Sequence, residues 1–164
     1  MSRLVFRITE RRWTLFLVVV GAALLPGCTS APPPPPFKPI ADVKQLMQGA
    51  IDPTADAIWD AVGWIDTAAG TEERRPRTQA QWDAVRNSAI TLTEAGNLLM
   101  MSPRAKDGGE WMKRSQELID TGFAAWKAAD AKNADALFTV GGDVYDACSH
   151  CHQQYMDAIK NANK

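Results

Sequence analysis

The chain of 164 residues carries 18 basic and 19 acidic side chains, and its first 27 residues hold four of the arginines and a single glutamate. Beyond that segment 137 residues remain, with 14 basic and 18 acidic groups and a formal charge of −4. That is the length of one ordinary domain, and the charge excludes a basic nucleic-acid surface. Three cysteines exclude a disulfide scaffold, and their placement, Cys28 alone and Cys148 and Cys151 three apart near the C-terminus, gives them separate tasks.

Residues 1–12 are polar and arginine-rich, Trp13 to Leu25 are almost entirely apolar, and small residues follow, which is the layout of a secretory signal. The apolar run is shorter than the roughly 20 residues that a spanning helix needs, so it reads as an export signal. Leu25-Pro26-Gly27-Cys28 resembles the lipobox of bacterial lipoproteins, with proline an uncommon second residue. The resemblance implies removal of residues 1–27 and acylation of Cys28, now the N-terminus. The rival is a free cysteine after an ordinary signal, a liability in an oxidising compartment. Several acyl chains anchor stably where one is marginal. Thr29 stands where aspartate would imply inner-membrane retention, so the outer membrane, facing the periplasm, is the expected site. Pro32 to Pro36 hold an extended polyproline conformation, and residues 28–38 read as lipid anchor and spacer.

From Ile40 onward apolar residues recur three and four apart and none alternate with strand period, so residues 39–164 are expected to form an all-α domain. The first helix places Ile40, Val43, Met47, Ala50, Ile58, Val62 and Ile65 on one face and ends near Ala69-Gly70, with a kink or short break at Asp52-Pro53. The charged, proline-containing stretch Thr71 to Arg77 reads as a loop. Thr78 and Gln81 form a capping-box pattern ahead of the stripe Trp82, Val85, Ala89, Leu92 and Leu99. A third helix runs from about Glu110 to Ala131, with Met112, Ser115, Ile119, Gly122, Trp126 and Ala129 inward. Asn133 opens the last helix, whose stripe is Leu137, Val140, Val144, Cys148, Cys151, Tyr155 and Ile159. Four helices with short connections favour an antiparallel four-helix bundle with a cofactor between the helices.

Cys148-Ser149-His150-Cys151-His152 is a complete CxxCH motif, the signature of covalent c-type haem attachment. Two thiols three residues apart can add to the two vinyl groups on one porphyrin edge, and the adjacent imidazole then lies under the iron. Residues i, i+3 and i+4 share a helix face, so Cys148, Cys151 and His152 point inward together while His150 faces elsewhere. Three other readings compete. Zinc needs a fourth ligand, and no second CxxC or HxxxH pair exists. A thioredoxin-like dithiol sits at a helix start in an α/β fold, and a disulfide within a helix interior would be strained.

Four amphipathic helices, a tryptophan-bearing third helix, a short turn around Ala131 to Asn133 and the motif in the last helix together resemble the cytochrome c′ family, the class II c-type cytochromes, over residues 40–160. The resemblance implies one covalently bound haem c, with His152 as the fifth iron ligand and a first-helix residue facing the other side of the iron. An apolar residue there leaves the iron open to small gases, whereas methionine makes it low-spin. Lys44-Gln45-Leu46-Met47 resembles the methionine-bearing version, and Met47 lies on the inward stripe, so Met47 is the candidate sixth ligand. The alternative is a core methionine filling space. Gln153 and Gln154 stand where the family often has a basic residue.

The function expected is one-electron transfer with redox partner proteins in the bacterial cell envelope, without catalysis, without nucleic acid, and with the membrane reached through the lipid anchor. The alternatives are a five-coordinate haem protein that binds nitric oxide or carbon monoxide, and a structural lipoprotein with no cofactor. Trp59, Trp64, Trp82, Trp111 and Trp126 read as packing residues. A homodimer through the first two helices is compatible with the resemblance.

Overall fold

The computed structural model describes residues 37–162. The expected signal, the acylated Cys28 and the proline run lie outside the described residues. The domain is mostly helical, with one small two-stranded sheet. Among the described residues no helix is long and apolar enough to cross a membrane.

A first helical arm runs from α1 (Val43–Leu46) through a π-helical turn (Met47–Ile51) into α2 (Asp52–Ala61). Asp42 caps it, accepting from Gln45 N at 2.7 Å while the Gln45 side chain accepts from Asp42 N at 3.0 Å. The helix passes Pro53 without the expected break. Proline lacks the N–H for the ladder and its ring crowds the carbonyl four residues back. The π turn, which bonds one residue further along, ends at Ile51 just before it, and Thr54 Oγ1 donates to the carbonyls of Ala50 and Ile51. Ile40, expected inward, precedes the cap and is 82% exposed, and the buried residues of the arm are Leu46, Ile51, Ala55 and Ile58.

The expectation of helix up to Ala69-Gly70 fails, and with it the purely all-α reading. The arm ends at Ala61; Val62 is extended, and Gly63 (φ 137°) and Gly70 (φ 126°) take backbone angles that L side chains rarely adopt. These glycines open the two strands of a hairpin, β1 (Gly63–Thr67) and β2 (Gly70–Arg74), paired antiparallel with Gly63 opposite Arg74 and Thr67 opposite Gly70. Trp64 and Ile65 are therefore strand residues, both exposed, and Trp64 rests edge-on against Phe138 with ring centroids 5.0 Å apart. Alternation of polar and apolar residues is absent because both faces of the hairpin are largely wet.

The helices α3 (Gln79–Met100), α4 (Glu110–Asp130) and α5 (Ala134–Ala162) complete the domain. Thr78 and Gln81 form the expected capping box, and Asn133 Oδ1 accepts from Ala136 N at 3.0 Å at the start of α5. In α3 the whole expected stripe is buried. In α4 Ser115, Gly122 and Ala129 of the expected stripe are buried, whereas Met112, Ile119 and Trp126 are half-buried and Trp111, Leu118 and Ala125 are buried beside them, because α4 packs against both α3 and α5 and its apolar arc must serve two neighbours. Arg104, after α3, is buried and donates to the carbonyls of Ala41 at 2.8 Å and Leu98 at 3.2 Å. It ties the start of the arm to the electronegative end of α3.

Small residues bring α3 and α4 together. A Cβ built on Gly122 would lie 2.8 Å from Thr93 Oγ1, 3.1 Å from Thr93 N and 3.3 Å from Thr93 Cα, and one on Gly96 would lie 2.6 Å from Ile119 Cγ1. Alanine in a helix gains up to about 1 kcal/mol over glycine, but overpacking against backbone that cannot withdraw costs about 1–3 kcal/mol. Gly122→Ala is thus expected to lower stability by about 1–2 kcal/mol in chemical denaturation; an unchanged midpoint would show that the two helices can separate freely.

Candidate cofactor site

All four residues expected to hold the cofactor line one cavity of about 620 Å³, inside the roughly 300–1,000 Å³ range of small-molecule and cofactor sites. Cys148, Cys151 and His152 come from the middle of α5, and Met47 comes from the first residue of the π turn. Ile51, Ala55 and Trp59 of the arm, Leu99 of α3, and Arg114 and Leu118 of α4 also line the cavity. His150 is exposed and does not line it. Cys28, the fifth residue singled out in the sequence, lies outside the described residues.

The arrangement follows from local sequence. Along α5, Leu137, Gly141 and Val144 are buried, and Cys148 and Cys151 continue that side half-buried. The switch from full to half burial marks where the packed part of the helix gives way to the cavity. Trp59 sets the end of the gap: its Nε1 donates to the Gly141 carbonyl at 2.8 Å, and its ring meets Tyr145 edge-on at 6.3 Å.

Cys148 and Cys151 are free thiols. Burial pushes the Cys148 thiol up to about 11, with Cys151, once ionised, and the Asp52 charge adding to it. Burial also raises Cys151, opposed by the Arg114 charge and assisted by Glu117. Both are therefore neutral near pH 7, which disfavours a dithiol redox couple, since the thiolate is the nucleophile. Among the described residues no three or more His, Cys, Asp or Glu side chains converge on a metal-binding group, and a closed zinc site requires such a set.

Arg114 was not legible as a site residue. Its spacing to Glu110 and Glu117 has the look of a solvated helix face, and Arg114 Nη1 does lie 2.9 Å from both Glu117 carboxylate oxygens and Nη2 3.3 Å from Glu110. Tertiary packing nevertheless turns the side chain into the cavity wall, where Nε is buried with no hydrogen-bond partner. The Glu117 hydrogen bond raises the pKa of the guanidinium above its ordinary value, so it is a permanent cation. Two thiols, an imidazole and a thioether are donors that would suit a covalently linked haem, and an unsatisfied buried guanidinium donor would suit a group that carries carboxylates.

A second polar feature closes the region. Tyr155 Oη donates to Asp107 Oδ2 at 2.5 Å, while Asp107 Oδ1 accepts from the backbone N–H of Gly109 at 2.9 Å and Trp111 at 3.0 Å. Trp111 packs edge-on against Tyr155 at 4.9 Å and donates through Nε1 to the Leu99 carbonyl at 2.8 Å. The loop before α4 is thereby pinned to the far part of α5.

Comparison with protein-family models, curated proteins and solved structures gives no match.

The Tyr155 pair has a pH signature. Burial and the Asp107 hydrogen bond push the tyrosine up to about 12 from its ordinary 10.0, so its protonated form is favoured by folding. That contribution is complete below pH 10 and lost as pH rises through about 12. Asp107 is shifted down, chiefly by the same hydrogen bond, so its contribution is present above its ordinary 3.8 and lost as the pH falls below that. Melting temperature should fall on the alkaline side of pH 10, and Tyr155→Phe should flatten that limb. An equally steep alkaline limb in the variant would assign it to other groups.

Proposed function

We propose that this chain is a c-type cytochrome of the class II kind: an antiparallel four-helix bundle with one haem c held covalently by Cys148 and Cys151, moving single electrons in the bacterial cell envelope. The observation that carries the proposal is the meeting of the CxxCH residues of α5 with Met47 of the arm on one cavity. Residues that face each other along neighbouring helices, such as Arg86 with Asp130 and Leu99 with Trp111, support the antiparallel arrangement.

Haem iron, when bound, supplies reversible one-electron chemistry. Cys148 and Cys151 would hold the porphyrin covalently against loss. His152 and Met47 would ligate the iron, and a thioether ligand would raise its potential relative to an open position. Ile51, Ala55, Leu99 and Leu118 make the walls apolar and limit water, and Arg114 Nε offers a donor to a carboxylate. In this reading Cys28 is acylated and tethers the domain to the membrane, with the outer membrane, facing the periplasm, as its destination.

The protein as purified should be haem-stain positive on a denaturing gel and low-spin in its visible spectrum. Met47→Ala should become high-spin, bind carbon monoxide and lose reduction potential, whereas Cys148→Ala should lose covalent haem. A wild-type protein that is already high-spin and gas-reactive would overturn electron transfer in favour of gas binding, and a haem-free protein would overturn both.

The tether is tested separately. Cys28→Ala should move the protein from the membrane to the soluble envelope fraction and abolish labelling by a fatty-acid analogue. Retention of membrane association and label would remove the lipoprotein assignment and leave the cytochrome reading intact.

A further inference from the structure

Charge is unevenly spread over the two helices that flank the cavity. The arm from Val43 to Ala61 contains one basic residue, Lys44, and α5 from Ala134 to Met156 contains none. Asp52 and Asp56 line the cavity itself. Asp146 is exposed, three residues before Ser149 and seven before Gln153, both of which line it, so it shares their side of α5. Among the described residues none of these three carboxylates is in a salt bridge. The basic residue in the wall, Arg114, is already matched by Glu110 and Glu117. With Lys44 set against Asp52, Asp56 and Asp146, the entrance region carries net negative charge.

Amid those carboxylates lies exposed apolar surface. Tyr145 is 62% and Met156 46% exposed, and both line the cavity beside half-buried Trp59. An apolar centre with a charged, wet rim is the anatomy of a transient protein interface. From these features we propose that the cavity entrance is a docking surface for a basic partner protein, which Asp52, Asp56 and Asp146 attract while Tyr145 and Met156 form the dry contact. The inference rests on the cytochrome reading for its purpose, since docking there brings a partner's redox centre near the cofactor. A second copy of the chain would set carboxylates against carboxylates at this surface, and like charges facing each other disfavour association. Surface charges are screened within about 8–10 Å at moderate salt, so the carboxylates act on encounter rate and orientation more than on tight affinity.

The test is titration of the isotope-labelled holoprotein with decalysine, with decaglutamate as control, followed by backbone amide shifts at low salt and at about 0.2 M salt. Shifts should cluster in residues 52–59 and 145–156, and binding should weaken about tenfold or more at the higher salt. The triple variant Asp52→Asn, Asp56→Asn, Asp146→Asn should lose about tenfold at low salt while keeping its helix content and haem. Shifts centred elsewhere, such as at Glu72 and Glu73 of the hairpin, overturn the proposal, as does undiminished binding by the triple variant or equal binding of decaglutamate. Haem content is read on the same samples. Haem present without the shift pattern refutes the docking surface alone, and the shift pattern on haem-free protein upholds the surface while refuting the cytochrome reading.

Discussion

The hydrogen bond from the Trp59 indole to the Gly141 carbonyl fixes how the first arm meets α5, and the cavity is the space left beyond it. Its net energy is modest, about 0.5–1.5 kcal/mol for a typical internal hydrogen bond. Its geometric effect is larger. Gly141 lies directly against the ring, where a Cβ would make ordinary contact at 3.4 Å from Trp59 Cδ1. A side chain longer than a methyl would press on the arm and alter the spacing between Met47 and the CxxCH residues together. The opposite side is held differently: Trp111, bonded to the Leu99 carbonyl, is 3% exposed and fixes α4 to the end of α3, so Leu99 and Leu118 become a rigid wall.

Polar groups at this end are organised around the same space. Burial keeps the Cys148 and Cys151 thiols neutral, so the apolar wall does not enclose two anions. Arg114 is the cation of the wall, and its two glutamates occupy the guanidinium's outer nitrogens while Nε faces no protein acceptor. A buried donor without a partner costs about 1–3 kcal/mol, which an acceptor on a bound group would relieve.

The α3 stripe and its capping box were legible in the sequence because a long amphipathic helix with a reciprocal Thr78-Gln81 cap leaves no competing pattern. The clustering of Cys148, Cys151 and His152 was legible for the same reason: spacing on one helix decides it. The hairpin was not. Its strands are five residues each and mostly exposed, so they carry no apolar alternation, and the signals present, Gly63 and Gly70 at positive φ, are also ordinary helix-ending residues. Arg114 was hidden because an i, i+3, i+4 set of charges reads as solvated surface whether or not tertiary packing turns one member inward.

Of the simple stripe through Ile40, Val43, Met47 and Ala50 only Ile40 fails, since Val43, Met47 and Ala50 are half-buried against the core, and the π turn that begins at Met47 sets how the rest of the arm continues. A π turn takes in about one residue more than an α turn, so the helix face before it is rotated against the face after it by about the ~100° that one α-helical residue subtends. Leu46, just before the turn, is in the core at 6% exposure, while Met47, which opens it, lines the cavity with Ile51 and Ala55. In a uniform α-helix the residues serving core and cavity would have to stay in phase across the whole arm, and Pro53 would strain the ladder at its middle. The wider turn meets both demands at one place. It lies where the ladder approaches Pro53, Thr54 Oγ1 adds side-chain bonds to the Ala50 and Ile51 carbonyls, and the methionine that opens it lines one cavity with the CxxCH residues.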